Sequence, residues 1–443
     1  MKNLKITLLG LLLGLSALWL LAESAALPVT SGLFPWRNLL VQYSGVLGMG
    51  VMSVAMLLAV RPAWIEQRLH GLDKMYRLHK WLGISGLVIA ILHWLFSQGP
   101  KWLVQAGLLE RPARGPRPVQ TDPILAFLQS QRGLAEDLGE KAFYVAVALI
   151  ALALIKRFPY RHFFRTHRWL ALAYLVLVWH SIVLTSFSYW VQPVGIVQGL
   201  LLAGGTVAAI ISLTRRIGVQ RKAVGEVEQI EYLEGVRVNA VSVRLQSAWA
   251  GHEPGQFAFV TFDEREGAHP FTISSAWQGD GRLLFLIKAL GDYTRTLAAS
   301  LKAGDAVTVE GPYGRFQFDG EARRQIWIGG GIGITPFVAR MHQLAQQPDG
   351  REIDLFHATT EVDETALQRL QDDASAAGVR LHLLVSGRNG LLTGERLRAL
   401  VPDWRDAEVW FCGPAAFGDA IRTDLCGQGL SPARFHQELF EMR

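Results

Sequence analysis

The chain has 443 residues, half of them hydrophobic, with a formal net charge of +6 at neutral pH. A chain of this length holds several domains. Its two cysteines, Cys412 and Cys426, are too few for a disulfide framework or for a four-cysteine iron–sulfur cluster within the chain. Basic residues cluster between apolar runs without forming a basic face or a reading motif, which argues against nucleic acid as a partner.

Six apolar runs fill the first half, at residues 6–22, 39–60, 76–96, 142–155, 165–187 and 191–213, the fourth of them short. The first follows Lys2 and Lys5 and is read as a retained span. The small residues of Ala22-Glu23-Ser24-Ala25-Ala26 leave a cleaved signal peptide as the alternative. Basic residues set the orientation. Arg61, Arg68, Lys74, Arg77 and Lys80 follow the second run, Lys156, Arg157, Arg161, Arg165 and Arg168 the fourth, and Arg215, Arg216, Arg221 and Lys222 the sixth. Together they put both termini on the cytoplasmic side of an inner or plasma membrane. The connection from about 97 to 141 then lies outside, despite Lys101, Arg111, Arg114 and Arg117. Its Arg-Pro-Ala-Arg-Gly-Pro-Arg-Pro stretch at 111–118 cannot form regular helix, and 123–138 is read as a short surface helix. An ordinary loop, a lid, and a docking site for an anionic acceptor are the readings open for this connection.

The third and fifth runs each carry two histidines: His79 and His93 stand 14 residues apart, His167 and His180 stand 13 apart. At a helical rise of about 1.5 Å per residue each pair is separated by about 20 Å, within a hydrocarbon core of about 30 Å. A lone histidine in an apolar helix is usually a hydrogen-bonded core residue. Four at matching depth, where ionisable groups are costly, point instead to two stacked haems, held by His79 with His167 and by His93 with His180. Imidazole on both faces of iron leaves no position for substrate and suits electron transfer. A spacing of 14 returns to within about 40° of one helix face, whereas 13 misses by about 140°. The fifth run is therefore expected to be bent, overwound or bulged between its histidines, or to meet the two haems at different azimuths.

From about residue 224 the pattern changes to short alternating strands such as 240–245, 257–262 and 283–289, the pattern of a small antiparallel β-barrel. His269-Pro270-Phe271-Thr272-Ile273-Ser274-Ser275 offers hydroxyls and backbone groups to a polar ring edge. Lys288-Ala289-Leu290-Gly291-Asp292-Tyr293-Thr294 offers a lysine and a helix start suited to a pyrophosphate. A strand at 325–328 then enters Gly329-Gly330-Gly331-Ile332-Gly333-Ile334-Thr335-Pro336 and a helix to about Leu344. Such glycines let backbone approach a dinucleotide phosphate, and Pro336 fits a first helical turn. Strands at 353–357, 381–385 and 409–411, the last ending at Cys412-Gly413-Pro414, complete an open α/β sheet whose ligands bind at the carboxyl ends of its strands.

Read together, the four histidines at these spacings, H-P-F-T-I-S-S at 269–275, A-L-G-D-Y-T at 289–294, G-G-G-I-G-I-T-P at 329–336 and C-G-P at 412–414 resemble the ferric reductase and NADPH oxidase superfamily of transmembrane flavocytochromes, in the expected order and over nearly the whole chain. The resemblance implies a six-helix haem-binding transmembrane bundle at 1–217, an FAD-binding antiparallel β-barrel at 218–320 and a ferredoxin–NADP reductase-type NAD(P)-binding α/β domain at 321–443. It also implies FAD held by residues 269–275, with Thr272 near the isoalloxazine and Lys288, Gly291 and Thr294 near the pyrophosphate. NAD(P)H would cross the turn of Gly329, Gly330, Gly331, Gly333 and Thr335, with Cys412, Gly413 and Pro414 lining the nicotinamide pocket and Phe440 covering the flavin. No arginine stands in His357-Ala358-Thr359-Thr360-Glu361 after the second strand of that sheet. Ser386 and Arg388 are thus the candidates for a 2′-phosphate, a lean toward NADPH over NADH. The activity implied is transfer from cytosolic NAD(P)H through FAD and two b-type haems to an outer acceptor: oxygen first, then a ferric chelate, then a periplasmic partner protein. Ser97, four residues after His93, departs from oxidases that carry a further histidine there.

Overall fold

The computed structural model describes residues 2–24, 33–69, 71–110, 121–155, 158 and 160–438. The arginine- and proline-rich stretch 111–118, Lys156, Arg157 and Phe440 lie outside the described residues. Two compact units part between Ile217 and Gly218.

The first unit is helical: α1 (Lys2–Glu23), α2 (Leu33–Ala59), α3 (Ala63–Arg68), α4 (Leu72–Gln105), α5 (Pro123–Ser130), α6 (Arg132–Leu154), α7 (Tyr160–His167), α8 (Trp169–Leu184) and α9 (Pro193–Leu213). Among the described residues, five helical stretches are long and apolar enough to cross a membrane: Leu4–Glu23, Leu33–Ala59, Leu72–Gln105, His162–Leu184 and Pro193–Leu213. The chain is an integral membrane protein by this pattern. The short run expected at 142–155 is the second half of α6. The first turns of α6 carry Arg132, Glu136, Asp137, Glu140 and Lys141, so it is not among those five. The surface helix expected at 123–138 is broken at Gln131. Asp122 caps α5 by accepting from Ile124 N at 2.8 Å and Leu125 N at 3.0 Å, and Gln131 N closes its end on the carbonyls of Phe127 and Leu128.

The irregularity expected between His167 and His180 falls immediately after His167. Arg168 is a turn residue between α7 and α8, and Ala171 N donates to Arg168 O at 3.0 Å, three residues back. That bond is tighter than the α-helical ladder and overwinds the helix locally. Midway along α8, Tyr174 is buried in the bundle. Ser53 Oγ donates to Met49 O at 2.7 Å and accepts from the Tyr174 hydroxyl at 2.8 Å. Gly205 of α9 leaves room for that hydroxyl, which a Cβ there would strike.

The second unit contains two sheets. The antiparallel one comprises β1 (Lys222–Leu233), β2 (Val238–Leu245), β3 (Phe257–Thr261), β4 (His269–Thr272), β5 (Arg282–Lys288) and β6 (Ala306–Tyr313), in the order β4-β3-β6-β1-β2-β5. α10 (Asp292–Ser300) follows β5. The two edge strands meet where Ile273 bridges Phe285, over a core that includes Val241, Val243, Val260, Leu283 and Val309. The parallel sheet holds β7 (Arg324–Gly330), β8 (Glu352–Thr359), β9 (Arg380–Val385), β10 (Glu408–Cys412) and β11 (Phe435–Gln437), ordered β11-β10-β7-β8-β9. Its helices are α11 (Thr335–Gln346), α12 (Glu364–Ala376), α13 (Ser386–Asn389), α14 (Gly394–Leu400) and α15 (Ala415–Gly427). From β7 the chain first builds outward through β8 and β9, then returns to β10 on the other side. The crevice at this reversal of strand order, between the carboxyl ends of β7 and β10, is where an open α/β sheet binds its ligand.

Candidate functional site

In the helical unit the four histidines meet in the expected pairs. The rings of His79 and His167 lie 5.8 Å apart between centroids with their planes at 70°, and those of His93 and His180 lie 6.3 Å apart at 77°. Two imidazoles on opposite sides of a metal, each with a bond of about 2 Å, have centroids about 6 Å apart. His79 Nδ1 donates to Ala55 O at 2.9 Å, and His180 Nδ1 donates to Ala135 O at 2.8 Å. A carbonyl accepts only, so each ring keeps its proton on Nδ1 and its lone pair on Nε2. Ser44 Oγ gives its proton to Leu40 O and accepts from His93 Nδ1 at 3.0 Å. His167 stacks on Phe163 at 4.9 Å, and its Nδ1 is buried with no hydrogen-bond partner among the described residues. Outer hydrogen bonds of this kind orient imidazole ligands on a metal. No cluster of three or more metal-binding side chains occurs among the described residues. Each histidine pair instead supplies two nitrogens, which is what a porphyrin's iron requires.

Several supporting groups were not singled out from sequence. Gly139 of α6 lies against the His180 ring, and Gly45 of α2 has the His93 ring 3.5 Å from where a Cβ would stand. Ser44 and Gly139 left little trace in the sequence, since α2 and α6 hold several other small residues. The carbonyls of Ala55 and Ala135 left none.

On the antiparallel sheet, β4 is an edge strand, which accommodates Pro270 opposite Phe259. His269 stacks on Tyr293 at 4.7 Å, and burial lowers its pKa to about 4, so the ring is neutral. Phe271 stacks on His269 from the same strand at 6.3 Å, and Thr272 is buried opposite Phe257. Ser275 Oγ accepts from Leu284 N at 3.1 Å and Ser274 Oγ from Leu286 N at 3.4 Å. Both hydroxyls therefore serve the contact between the edge strands. Thr294 Oγ1 accepts from Leu290 N at 3.1 Å and Gly291 N at 3.0 Å, fixing the start of α10. A Cβ on Gly291 would have only Thr294 Oγ1 within 4 Å, at 3.9 Å, so the backbone is approachable there. Lys288 Nζ stands 2.7 Å from the Glu361 carboxylate. That close ammonium of Lys288, against a smaller effect of burial, holds the Glu361 carboxyl below its ordinary range.

The glycines after β7 divide by role. A Cβ on Gly330 would meet Pro414 Cδ at 2.9 Å, and one on Gly333 would strike the Cys412 carbonyl. Gly413 lies on Gly330, and a Cβ on Gly329 would meet Ile334. Gly330, Gly333 and Gly413 pack the turn against the end of β10, and Gly329 lets the turn fold back on itself. Gly331 alone has a left-handed φ of +55° with open space beside it. Thr335 and Pro336 open α11. Cys412 is fully buried, and burial, with the charge of Glu438 second, pushes its thiol well above the ordinary value. At the neighbouring strand ends, Ser386 Oγ donates to Thr359 O at 3.4 Å, and the Arg388 guanidinium is 4.0 Å from Glu364. The turn after β7, Cys412-Gly413-Pro414 and Ser386 with Arg388 thus share the carboxyl edge of one sheet.

Comparison with known proteins finds a family match within each unit. Residues 44–178 match the family model described as ferric reductase like transmembrane component, and residues 227–317 match the FAD-binding domain model. The stachydrine N-demethylase reductase subunit Stc4 of Rhizobium meliloti (strain 1021) is 30% identical over 223 residues, 46% of this chain and 63% of that protein. The flavohemoprotein of Bordetella pertussis (strain Tohama I) is 28% identical over 213 residues, 42% of this chain and 52% of that protein. The matches therefore span less than two thirds of either relative. Among solved structures, the flavohemoglobin from Malassezia yamatoensis aligns over 93% of this chain and 100% of its own at 15% identity, TM-score 0.48. The FAD/NAD-binding domain of nitric oxide dioxygenase from Vibrio cholerae aligns over 49% and 98% at 22% identity, TM-score 0.43. A ferric reductase-like transmembrane component followed by an FAD-binding domain and a reductase-type parallel sheet is the arrangement of the ferric reductase and NADPH oxidase superfamily, and this chain matches that superfamily.

Proposed function

We propose that the protein is an oxidoreductase that carries electrons from NAD(P)H through FAD and two b-type haems to an acceptor across the membrane. The observation that carries this reading is the pairing of His79 with His167 and of His93 with His180 at centroid distances of 5.8 and 6.3 Å. When bound, FAD takes a hydride from NAD(P)H and, with the haems, supplies a route for single electrons.

The chain's own part is to bind, orient and shield. His79 and His167 hold the haem nearer the cytoplasm, and His93 and His180 the outer one. Ala55, Ala135 and Ser44 fix three of these rings through Nδ1, which leaves Nε2 for iron. Residues 218–320 hold FAD, with Thr272 near the isoalloxazine and Lys288, Gly291 and Thr294 near the pyrophosphate. The other residues of the 269–275 segment, from His269 to Ser275, shape that wall and keep it dry. Residues 321–443 hold NAD(P)H on the backbone of Gly331, with Gly329, Gly330, Gly333, Gly413 and Pro414 letting the turn pack and Thr335 starting the helix. Cys412 lines the nicotinamide pocket as a neutral thiol, Phe440 covers the flavin, and Ser386 with Arg388 favours NADPH over NADH. α6 is the fourth of six spans in a bundle at 1–217, with both termini cytoplasmic in the inner membrane.

Oxygen, taking one electron to give superoxide, is the acceptor proposed first. Ferric chelate and a periplasmic protein are the other outcomes of the same assay. NAD(P)H consumption by the purified protein under air, with and without superoxide dismutase or ferric chelate, separates the three. The His93→Leu or His180→Leu variant is expected to keep reduction of a cytosolic-side dye and lose reduction of outer acceptors. Unchanged outer reduction in those variants would refute the route.

A further inference from the structure

The segment leaving β8 is fastened to the antiparallel sheet at several points. Glu361 receives Lys288 at 2.7 Å and also Arg237, which lie on the end of β5 and between β1 and β2. Asp363 accepts from Gly235 N at 3.0 Å through one oxygen and caps α12 through the other, from Ala366 N at 3.1 Å. Arg369 in α12 grips Glu231 of β1 through two bonds of 2.9 and 2.8 Å. Packing between these points is close, since a Cβ on Gly235 would strike the Val362 carbonyl. Arg237 is held at a φ of +52°, a left-handed conformation that side chains other than glycine seldom adopt. Its carbonyl accepts from Ala289 N at 2.9 Å, next to Lys288. Backbone held in a sparsely populated conformation is a reason to look for a function served by it.

These contacts differ in weight. Arg369 and Glu231 are exposed, and pairs of that kind contribute little. Lys288 is 15% exposed and Glu361 23%, so theirs is the shielded pair. Glu361 also stands four residues beyond His357, whose Nδ1 lies 3.3 Å from the carbonyl of Gly329 in the glycine turn. One short stretch of β8 and its exit therefore touches both the nucleotide turn and the flavin-side lysine.

We infer that Glu361 is a positioning residue for hydride transfer: by holding Lys288 and Arg237 it keeps the nucleotide-binding edge of the parallel sheet in register with the flavin face of the antiparallel one. The inference rests on the reading of these sheets as NAD(P)H and FAD sites. Hydride transfer depends on near contact of the nicotinamide carbon that gives the hydride and the flavin nitrogen that takes it, and a misplacement of about 1 Å can cost about a hundredfold in rate.

The test is anaerobic rapid-mixing of the full-length protein with NADH or NADPH, reading flavin bleaching per bound FAD. The Glu361→Gln variant is expected to lower the limiting rate by about tenfold or more, with the half-saturating nucleotide concentration changed much less. Glu361→Asp should recover part of that loss. A limiting rate equal to wild type in Glu361→Gln overturns the inference. So does a loss of FAD content with an unchanged rate per bound FAD, which would make Glu361 a flavin-retention residue. If Glu361→Gln cannot be isolated, Arg237→Gln, which removes one of the two cations that Glu361 holds, gives the same readout. A lowered limiting rate in Arg237→Gln supports positioning, and one equal to wild type overturns it. Failure of the wild-type flavin to bleach with either nucleotide would instead refute the underlying reading of the sites.

Discussion

Gly139 gives the sharpest test of the outer histidine pair. A Cβ built there stands 2.6 Å from His180 Cε1 and 2.7 Å from Cγ, with Nδ1 closer still. Comfortable contact for such atoms is about 3.5–4.0 Å, so Gly139→Ala requires the ring to move by about 1 Å or more. The ring cannot turn freely to do so, because its Nδ1 is tied to Ala135 O, one helical turn away on the same α6. An iron–imidazole bond is about 2 Å long, and displacement on that scale breaks it. Gly139→Ala is therefore expected to bind one haem per flavin instead of two while the inner pair, His79 with His167, keeps its own. Gly45→Ala is the matched control. Its Cβ would meet His93 Cε1 at 3.5 Å and Nδ1 at 3.8 Å, ordinary contact, so both haems should stay. The assay is haem content by extraction against flavin content, together with the reduced absorption spectrum. Two haems with an unaltered spectrum in Gly139→Ala would refute the placement of His180 as a ligand.

Two further expectations concern the soluble unit. Because burial raises the Cys412 thiol, thiolate does not accumulate at neutral or mildly alkaline pH. Alkylation of the native protein should thus modify Cys426 and spare Cys412 until unfolding, as read by mass spectrometry. A raised folded-state value also means that this thiol's contribution to stability is present below its unfolded pKa of about 8.5 and is lost as pH rises above it. For Asp354 burial opposes ionisation, but hydrogen bonds from His382 and Arg324 and the charge of Arg380 outweigh it and hold the carboxyl below its ordinary range. Its stabilisation should be present above about pH 3.9 and decline as pH falls through the depressed value. Asp354→Asn, which removes the carboxylate shared by Arg324, Arg380 and His382 while Arg324 keeps Glu352 and Asp403, should cost about 1–3 kcal/mol, measured by denaturation of the flavin-bearing unit within the full chain.

Much of the site was legible because the signals were long-range repeats of residue type. The four histidines, the glycine turn at the end of β7 and Cys412-Gly413-Pro414 are each recognisable without coordinates, and the misfit of a 13-residue spacing pointed to an irregularity between the histidines, which the structure has at Arg168. The extent of α6 was less legible. Charges in its first turns broke the hydropathy signal, although backbone from those same turns supports His180. The roles of Ser274 and Ser275 were also hidden. Hydroxyls in a flavin-like motif suggest ligand contacts, and where β4 and β5 meet they also accept from backbone N–H groups, a role the motif does not disclose. A motif specifies which atoms are present, and strand pairing decides which of them remain for a ligand.

Lys288 brings these strands of reasoning together. From sequence it is a phosphate-binding lysine, and in the fold it is the ammonium shared with Glu361 across two sheets. The two roles are compatible, since an ammonium has three donors and one carboxylate oxygen engages one of them. A lysine that serves both would link flavin binding to the placement of the nucleotide sheet. On the proposed reading this suits a first chemical step that needs both dinucleotides in contact, with the later steps left to the histidine pairs of the helical unit. Glu361 would then influence only the entry of electrons, and Gly139 only their passage to the outer pair. Flavin bleaching should consequently be slow in Glu361→Gln and normal in Gly139→Ala, while outer-acceptor reduction should fall in both.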